Sequence, residues 1–324
     1  MQKLESAILE KAKNLLNDGT VNRVLGWKKG DFGYDVSPAV FYNEAELSEF
    51  VYNVFCGANL SKYLVEESKK EGKILVFLKP CDSYSFNQLI KEHRIKPENV
   101  YTVGVECQGK IDPDKIKAQG IEVIEGFEEE VDSVKIKANG KEYAFSKDEV
   151  ILGKCSVCGK KLLSYDETIS FNEKRVASKE RFEEVKKLEG MTADERYAFW
   201  KDQLSNCIRC NACRNVCPAC TCTKCVFDND NSGISSKANS DSFEEKMFHI
   251  IRAFHVAGRC TDCGECSRVC PQNIPLHLLN RKFISDIDRL YGEYQAGEDT
   301  TSKGPLTDFT KADLDPSEVF GGNK

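Results

Sequence analysis

The chain has 324 residues, 16 of them cysteine, and its 46 Lys+Arg against 52 Asp+Glu give a formal net charge of −6. That slightly acidic balance is spread along the chain and argues against nucleic acid as a partner, and no apolar run is long enough to span a bilayer. The opening residues, Met1-Gln2-Lys3-Leu4-Glu5-Ser6, lack the basic, apolar and small-residue order of an export signal. So many cysteines without that order predict a metalloprotein of a reducing cytoplasm, not a disulfide scaffold.

In chain order, Leu4, Ala7, Ile8, Lys11, Ala12 and Leu15 recur at helical spacing and predict an amphipathic helix over 3–16. A second helix is expected from Asn43, with Glu46 as its capping-box partner and Leu47, Phe50, Val51, Val54 and Phe55 on one face. The apolar runs Ile74–Leu78, Tyr101–Val105 and Ile121–Ile124 read as strands alternating with helical stretches, hence a small α/β sheet. Cys81 and Cys107 fall just past the first two of these runs, where α/β folds keep their ligand sites. Val134–Phe145 is a hairpin around Asn139-Gly140.

Residues 172–203 are charged and helical in pattern and form the link to a second half. In that half, Phe243, Met247, Ile250, Ile251 and Phe254 make a helical stripe expected to be core. Beyond about Tyr291 the chain is rich in Gly, Asp, Ser and Thr. With Pro305, Leu306, Phe309, Leu314 and Phe320 spaced along it, this tail suits either an arm laid on a partner or a disordered end. The expected architecture is thus an α/β N-terminal domain (1–170) with a small, partly parallel sheet, followed by a helical connector (171–205). After these comes a region with two C-x2-C-x2-C-x3-C-P runs, which makes it an α-helical two-cluster [4Fe–4S] ferredoxin domain (206–290), and then an extended C-terminal tail (291–324).

The ferredoxin assignment rests on a spacing that occurs twice. Cys207, Cys210, Cys213 and Cys217 precede Pro218, and Cys260, Cys263, Cys266 and Cys270 precede Pro271. Both are C-x2-C-x2-C-x3-C-P, the bacterial ferredoxin run. Three thiolates on a tight turn wrap one face of an iron–sulfur cube, and the fourth is carried on to a second cube. This predicts Cys207, Cys210, Cys213 and Cys270 on one [4Fe–4S] cluster, and Cys260, Cys263, Cys266 and Cys217 on the other. A zinc ribbon would use separated C-x2-C pairs.

Eight further cysteines remain. Cys155 and Cys158 form a C-x2-C pair between Gly153 and Gly159, which needs two more ligands; Cys81 and Cys107, at neighbouring strand ends, supply them for a third cluster. Cys220, Cys222 and Cys225 follow the first run closely and suggest a fourth site, a cluster or a zinc. Cys56 is its expected fourth ligand, with His249 or His255 as an alternative that favours zinc.

The segments Lys79-Pro80-Cys81-Asp82, Val103-Gly104-Val105-Glu106-Cys107 and Lys154-Cys155-Ser156-Val157-Cys158 resemble the three cysteine motifs of a known family. These are the β subunits of deazaflavin-coenzyme-dependent hydrogenases and formate dehydrogenases. The resemblance covers roughly residues 40–170 and implies that these four cysteines hold a [4Fe–4S] cluster beside an FAD. The second half resembles the electron-transfer subunits of heterodisulfide reductases, through both cysteine runs and Ile274-Pro275 after the second. Where the family has a Gly-rich stretch near its flavin, this chain has Phe55-Cys56-Gly57-Ala58-Asn59-Leu60. There is also no G-x-G-x-x-G or P-loop elsewhere.

No acid–base or nucleophilic constellation is readable, the four histidines being scattered. The sequence therefore predicts an iron–sulfur electron-transfer subunit of a cytoplasmic, anaerobic oxidoreductase complex, with no catalytic residues of its own. It would form a hetero-oligomer with a catalytic dehydrogenase or hydrogenase subunit on one side and a flavoprotein or heterodisulfide-reductase-like subunit on the other. The alternative is an FAD-containing β subunit that exchanges hydride with a deazaflavin coenzyme or NAD(P).

Overall fold

The computed structural model describes residues 2–130, 132–163, 165–170, 177–229 and 242–306, with side chains omitted at 2 and 242–245. Helix α1 (Gln2–Asn17) lays Leu4, Ile8, Ala12 and Leu15 on a five-stranded sheet. That sheet runs in the order β2-β1-β3-β4-β8 and is parallel except at its β1–β2 edge. Its strands are β1 (Arg23–Lys29), β2 (Val36–Phe41), β3 (Ile74–Leu78), β4 (Val100–Val105) and β8 (Glu167–Ile169). The mixed, mainly parallel sheet agrees with the expected fold class. β3 is apolar and buried throughout, as a central parallel strand covered on both faces must be.

A second, antiparallel sheet packs beside it: β5 (Gly126–Glu129), β6 (Ser133–Ala138) and β7 (Lys141–Ser146). Asn139 and Gly140 turn its hairpin with φ of 52° and 67°, both left-handed, as a type I′ turn requires.

Several local expectations are corrected. The Asn43–Glu46 capping hydrogen bonds do form, at 2.7 and 3.0 Å, but they cap only a single 3-10 turn at Glu46–Glu49. The chain must then extend, because the Val51 amide bonds the Trp27 carbonyl at 2.9 Å and Phe50 bridges to Lys28. Ile121–Ile124 is not a strand; Ile121 and Ile124 instead bury into the core of the smaller sheet. The first two strands of the large sheet escaped the pattern reading. β1 is buried on both faces over Arg23–Trp27 and shows no alternation.

Helix α2 (Pro80–Lys91) begins directly after β3, with Pro80 at its first position. Its N-cap residue, Lys79, is wholly buried. Lys79 Nζ pairs with Asp82 at 2.8 Å, donates to the Ala58 carbonyl at 2.8 Å and lies 4.2 Å over the Trp27 ring.

The second half is helical, built on α3 (Ala193–Ser205), α4 (Ser242–His255) and α5 (Leu276–Tyr291), with α4 packed against both others. The face of α4 differs from the expected stripe. Phe248, His249, Arg252 and Ala253 are buried, whereas Ile250 and Phe254 are exposed, Phe254 meeting Phe283 edge-on. The side chain of Phe243 lies outside the described residues. The reason for the rotated face is that α4 turns polar groups toward the cysteine-bearing loops.

Residues 292–306 lie back over the chain's own first half and do not project as an arm. Gln295 accepts from Arg181 at 2.8 Å, and Lys91 on α2 reaches Ser302 at 3.1 Å. Gly297 sits so close to Tyr84 that a Cβ would fall 1.9 Å from its carbonyl oxygen. Phe309, Leu314 and Phe320 of the predicted arm lie outside the described residues. Among the described residues no helix is long and apolar enough to cross a membrane.

The Lys79–Asp82 pair gives a direct stability prediction. Asp82→Ala leaves a buried ammonium unpaired, so it should destabilise the fold by about 3–5 kcal/mol. The check is the denaturant midpoint followed by circular dichroism under anaerobic conditions.

Candidate iron–sulfur sites

The parallel pairing of β3 with β4 brings Cys81 and Cys107 to the same end of the sheet. Cys81 stands in the first turn of α2, just past β3 as expected, and Cys107 follows β4. The one-turn helix Gly153–Ser156 carries Cys155 beside them. Cys81, Cys155 and Cys158 wall one cavity of about 390 Å3, and Cys263 of the second half lines it too. Cys107 is outside that lining but interacts electrostatically with Cys155. Burial pushes the Cys155 thiol up to about 11 against the pull of Lys154, and burial likewise raises Cys81. Buried thiols of this kind become thiolates when a cationic metal centre takes the proton's place.

The two ferredoxin runs fold alike. Arg209 and Asn211 flank Cys210 with φ of 55° and 61°, and Asp262 and Gly264 flank Cys263 with 54° and 67°. The short helices Ala212–Asn215 and Glu265–Arg268 then carry Cys213 and Cys266. Left-handed residues on both sides of the second cysteine tighten each loop, and in the first the Arg209 amide donates to Cys207 Sγ at 3.4 Å. Gly264 is also a close approach, since a Cβ there would lie 2.4 Å from Lys154 Cβ.

Cysteines of the two runs lie close enough to act on one another. Cys270 acts on Cys213 of the first run, and Cys217 acts on Cys260, Cys263 and Cys266 of the second. Burial and neighbouring Asp262 push Cys260 up to about 12, and burial raises Cys266 to about 12 against Arg252. Cys207 is partly buried with His249 Nε2 at 3.2 Å, while Cys210 is exposed. Burial, with Arg252 and Arg209 nearby, holds the His249 ring down to about 3. His249 therefore sits at the first ferredoxin run and does not line the cavity of Cys220, Cys222 and Cys225.

The four-thiolate set that includes Cys56 is corrected. Cys56 is buried in the core of the large sheet, where its Sγ accepts from the Asn53 amide at 3.2 Å. Cys220, Cys222 and Cys225 wall a separate cavity of about 250 Å3 that Cys56 does not line. Among the described residues, no three His, Cys, Asp or Glu side chains converge closely enough to hold a single metal ion. The zinc alternative has no such point here.

The groups that sequence reasoning missed are the charged ones. Lys154 ion-pairs with buried Glu265 and donates to the Gly57 carbonyl at 2.7 Å. Glu265 also accepts from Arg268 and from the Asn59 amide at 3.1 Å. Although burial works to raise it, Lys154 and Arg268 hold the Glu265 carboxyl down to about 2. Asp262 is held to about 2 in the same way by Arg281 and Arg181. Arg252, 3 % exposed, donates to the Cys213 carbonyl at 3.2 Å and interacts with Cys217, Cys266, Cys213 and Cys220. The available signal was a charge beside a cysteine of these motifs: Lys154 precedes Cys155 and Glu265 precedes Cys266.

Glu265→Ala removes one partner of a buried ion pair and should cost about 3–5 kcal/mol. Denaturant titration should show the loss, and limited proteolysis should show earlier cleavage between the two halves. Glu265→Gln, which keeps hydrogen-bonding capacity, should fall between it and the parent.

A 4Fe-4S dicluster domain model matches residues 203–274, which contain both cysteine runs and Cys220, Cys222 and Cys225. The F420-dependent formate dehydrogenase subunit beta of Methanocaldococcus jannaschii is 28% identical over 86% of this chain and 88% of its own length. The F420-dependent formate dehydrogenase 1 subunit beta of Methanococcus maripaludis is 25% identical over 92% and 95%. Among solved structures, a chain of the F420-reducing [NiFe] hydrogenase complex from Methanosarcina barkeri matches with a TM-score of 0.37 and 15% identity, over 47% of this chain and 62% of that one. From motif to full-length relatives, the chain is a homologue of F420-dependent formate dehydrogenase beta subunits that carries a 4Fe-4S dicluster domain in its second half.

Proposed function

We propose that the chain relays single electrons between two protein partners through at least three [4Fe–4S] clusters. The first is held by Cys81, Cys107, Cys155 and Cys158. The second is held by Cys260, Cys263, Cys266 and Cys217, and the third by Cys207, Cys210, Cys213 and Cys270. The observation that carries this reading is the cavity shared by Cys81, Cys155, Cys158 and Cys263. Three cysteines proposed for the first cluster thus line the same cavity as one proposed for the second. Cys217 and Cys266 in turn neighbour Cys213, which leads on to the third. Each cluster accepts one electron and passes one on, so a two-electron substrate reaction is completed elsewhere.

The names of the relatives, formate dehydrogenase beta subunits, support a catalytic dehydrogenase subunit on one side; the partner on the other side, a flavoprotein or heterodisulfide-reductase-like subunit, rests on the resemblance carried by the two cysteine runs. Exposed Cys210 beside exposed Ile208 suits the outer end of the path.

A candidate cavity for the flavin-bearing alternative, about 590 Å3, lies between residues 32–36 and 111–118 of the first half and Ser267, Arg268 and Asn273 of the second. The stacked Phe32–Tyr34 pair on its wall suits an aromatic ring. Asp35, Asp112 and Asp114 on the same wall, against Lys115 and Arg268, repel a diphosphate. That balance favours the relay.

The test uses the purified full chain with its clusters. It should take up electrons from dithionite and show little turnover with formate, hydrogen or reduced nicotinamide. Cys155→Ser should remove about four irons per chain and leave the two ferredoxin-type signals, which Cys210→Ser and Cys263→Ser remove. Bound FAD with robust reduction of a deazaflavin or nicotinamide by the isolated chain would overturn the relay in favour of the flavoenzyme.

A further inference from the structure

Cys220, Cys222 and Cys225 wall a cavity of about 250 Å3 together with Lys62, Arg214, Arg252 and Arg259. Two of these four cations have carboxylate partners: Arg214 pairs with Asp228 at 2.9 Å and Arg259 with Glu92 at 2.5 Å. Lys62 donates to the Cys220 carbonyl. Arg252 is buried, and its Nε has no hydrogen-bond partner among the described residues. The cavity thus holds more positive than negative charge around three thiols. That is the environment of a group that is anionic once its thiols are deprotonated.

A single metal ion does not suit the arrangement, because the thiols ring a space instead of meeting at a point. A cube with three thiolate corners does suit it, since its net charge is negative and grows more so on reduction. Two donors remain on the wall for a fourth corner, and Asp228 is already engaged by Arg214. The other is His255, on the last turn of α4.

The geometry points to a further [4Fe–4S] site, with Cys220, Cys222 and Cys225 on three irons and His255 on the fourth. It extends the relay reading by one station. Cys220 packs against Cys217, and its amide donates to the Cys217 carbonyl at 3.1 Å, so this site abuts the cluster proposed for Cys217. An electron entering from that neighbour leaves again as an electron, with no bond made or broken.

Anaerobic reconstitution of the full chain should give about sixteen irons, against about twelve for three clusters. Cys222→Ser and Cys225→Ser should each remove about four of them and spare the signals lost in Cys210→Ser and Cys263→Ser. Pulsed EPR of the reduced protein should show a nitrogen hyperfine coupling that His255→Ala abolishes. About twelve irons in the parent chain, unchanged by Cys222→Ser and Cys225→Ser, would overturn the site, as would stoichiometric zinc. Sixteen irons without the nitrogen coupling would overturn the role of His255. These counts are independent of flavin-linked turnover, so failure here is distinct from failure of the relay.

Discussion

The buried ion pair of Lys154 with Glu265 is the contact on which the arrangement of the two halves depends. Lys154 immediately precedes Cys155 of the first half, and Glu265 immediately precedes Cys266 of the second. Holding those two charges together out of water is costly unless every remaining donor and acceptor is met. Here they are met, with Arg268, the Asn59 amide and the Gly57 carbonyl completing the network. The pair therefore has one favourable geometry, and that geometry sets Cys263 on the wall of the cavity that Cys81, Cys155 and Cys158 share. Ser85 against Thr261 at 3.1 Å and Glu92 against Arg259 repeat the connection along α2.

Charge explains the composition of the second half as well. Cysteines that ligate clusters bring negative charge into a low-dielectric interior, and each must be answered there. Arg252 answers several at once, from the face of α4 that an apolar reading would assign to leucine-like packing. Arg281 and Arg181 answer Asp262, which shapes the turn before Cys263. A helix whose buried face carries Phe248, His249 and Arg252 is therefore a cover for the cysteine loops and only secondarily a core helix. This is why its hydrophobic stripe was displaced from the expected one.

The sheet plays a different part. Parallel pairing of β3 with β4 aligns their C-terminal ends, so cysteines at the ends of two separate strands become neighbours without any direct chain link. Cys56, by contrast, falls on the inner side of the same domain. Its thiol makes the ordinary contacts of a buried hydrophobe-like residue, with Asn53 and the Val51 carbonyl. Cys56 and the two strand-end cysteines of one domain thus meet opposite fates because of which side of the chain's path they face.

What the sequence by itself determined is what depends on spacing. The two C-x2-C-x2-C-x3-C-P runs, the strand runs Ile74–Leu78 and Tyr101–Val105, the first helix and the Asn139-Gly140 hairpin are local patterns whose geometry follows from a few adjacent residues. The partly parallel sheet and the helical second half were legible for the same reason. Tertiary structure alone decided what depends on distant segments meeting. It stopped the helix expected after Asn43 at one turn, because strand β1 claimed the following amides. It folded residues 292–306 onto α2, and it sent Cys56 into the core while bringing His255 to Cys220, Cys222 and Cys225. Above all it chose the partners of Lys154, Glu265 and Arg252. A buried charge is settled by whichever opposite charge or dipole the whole fold carries to it, and spacing along the chain holds no record of that.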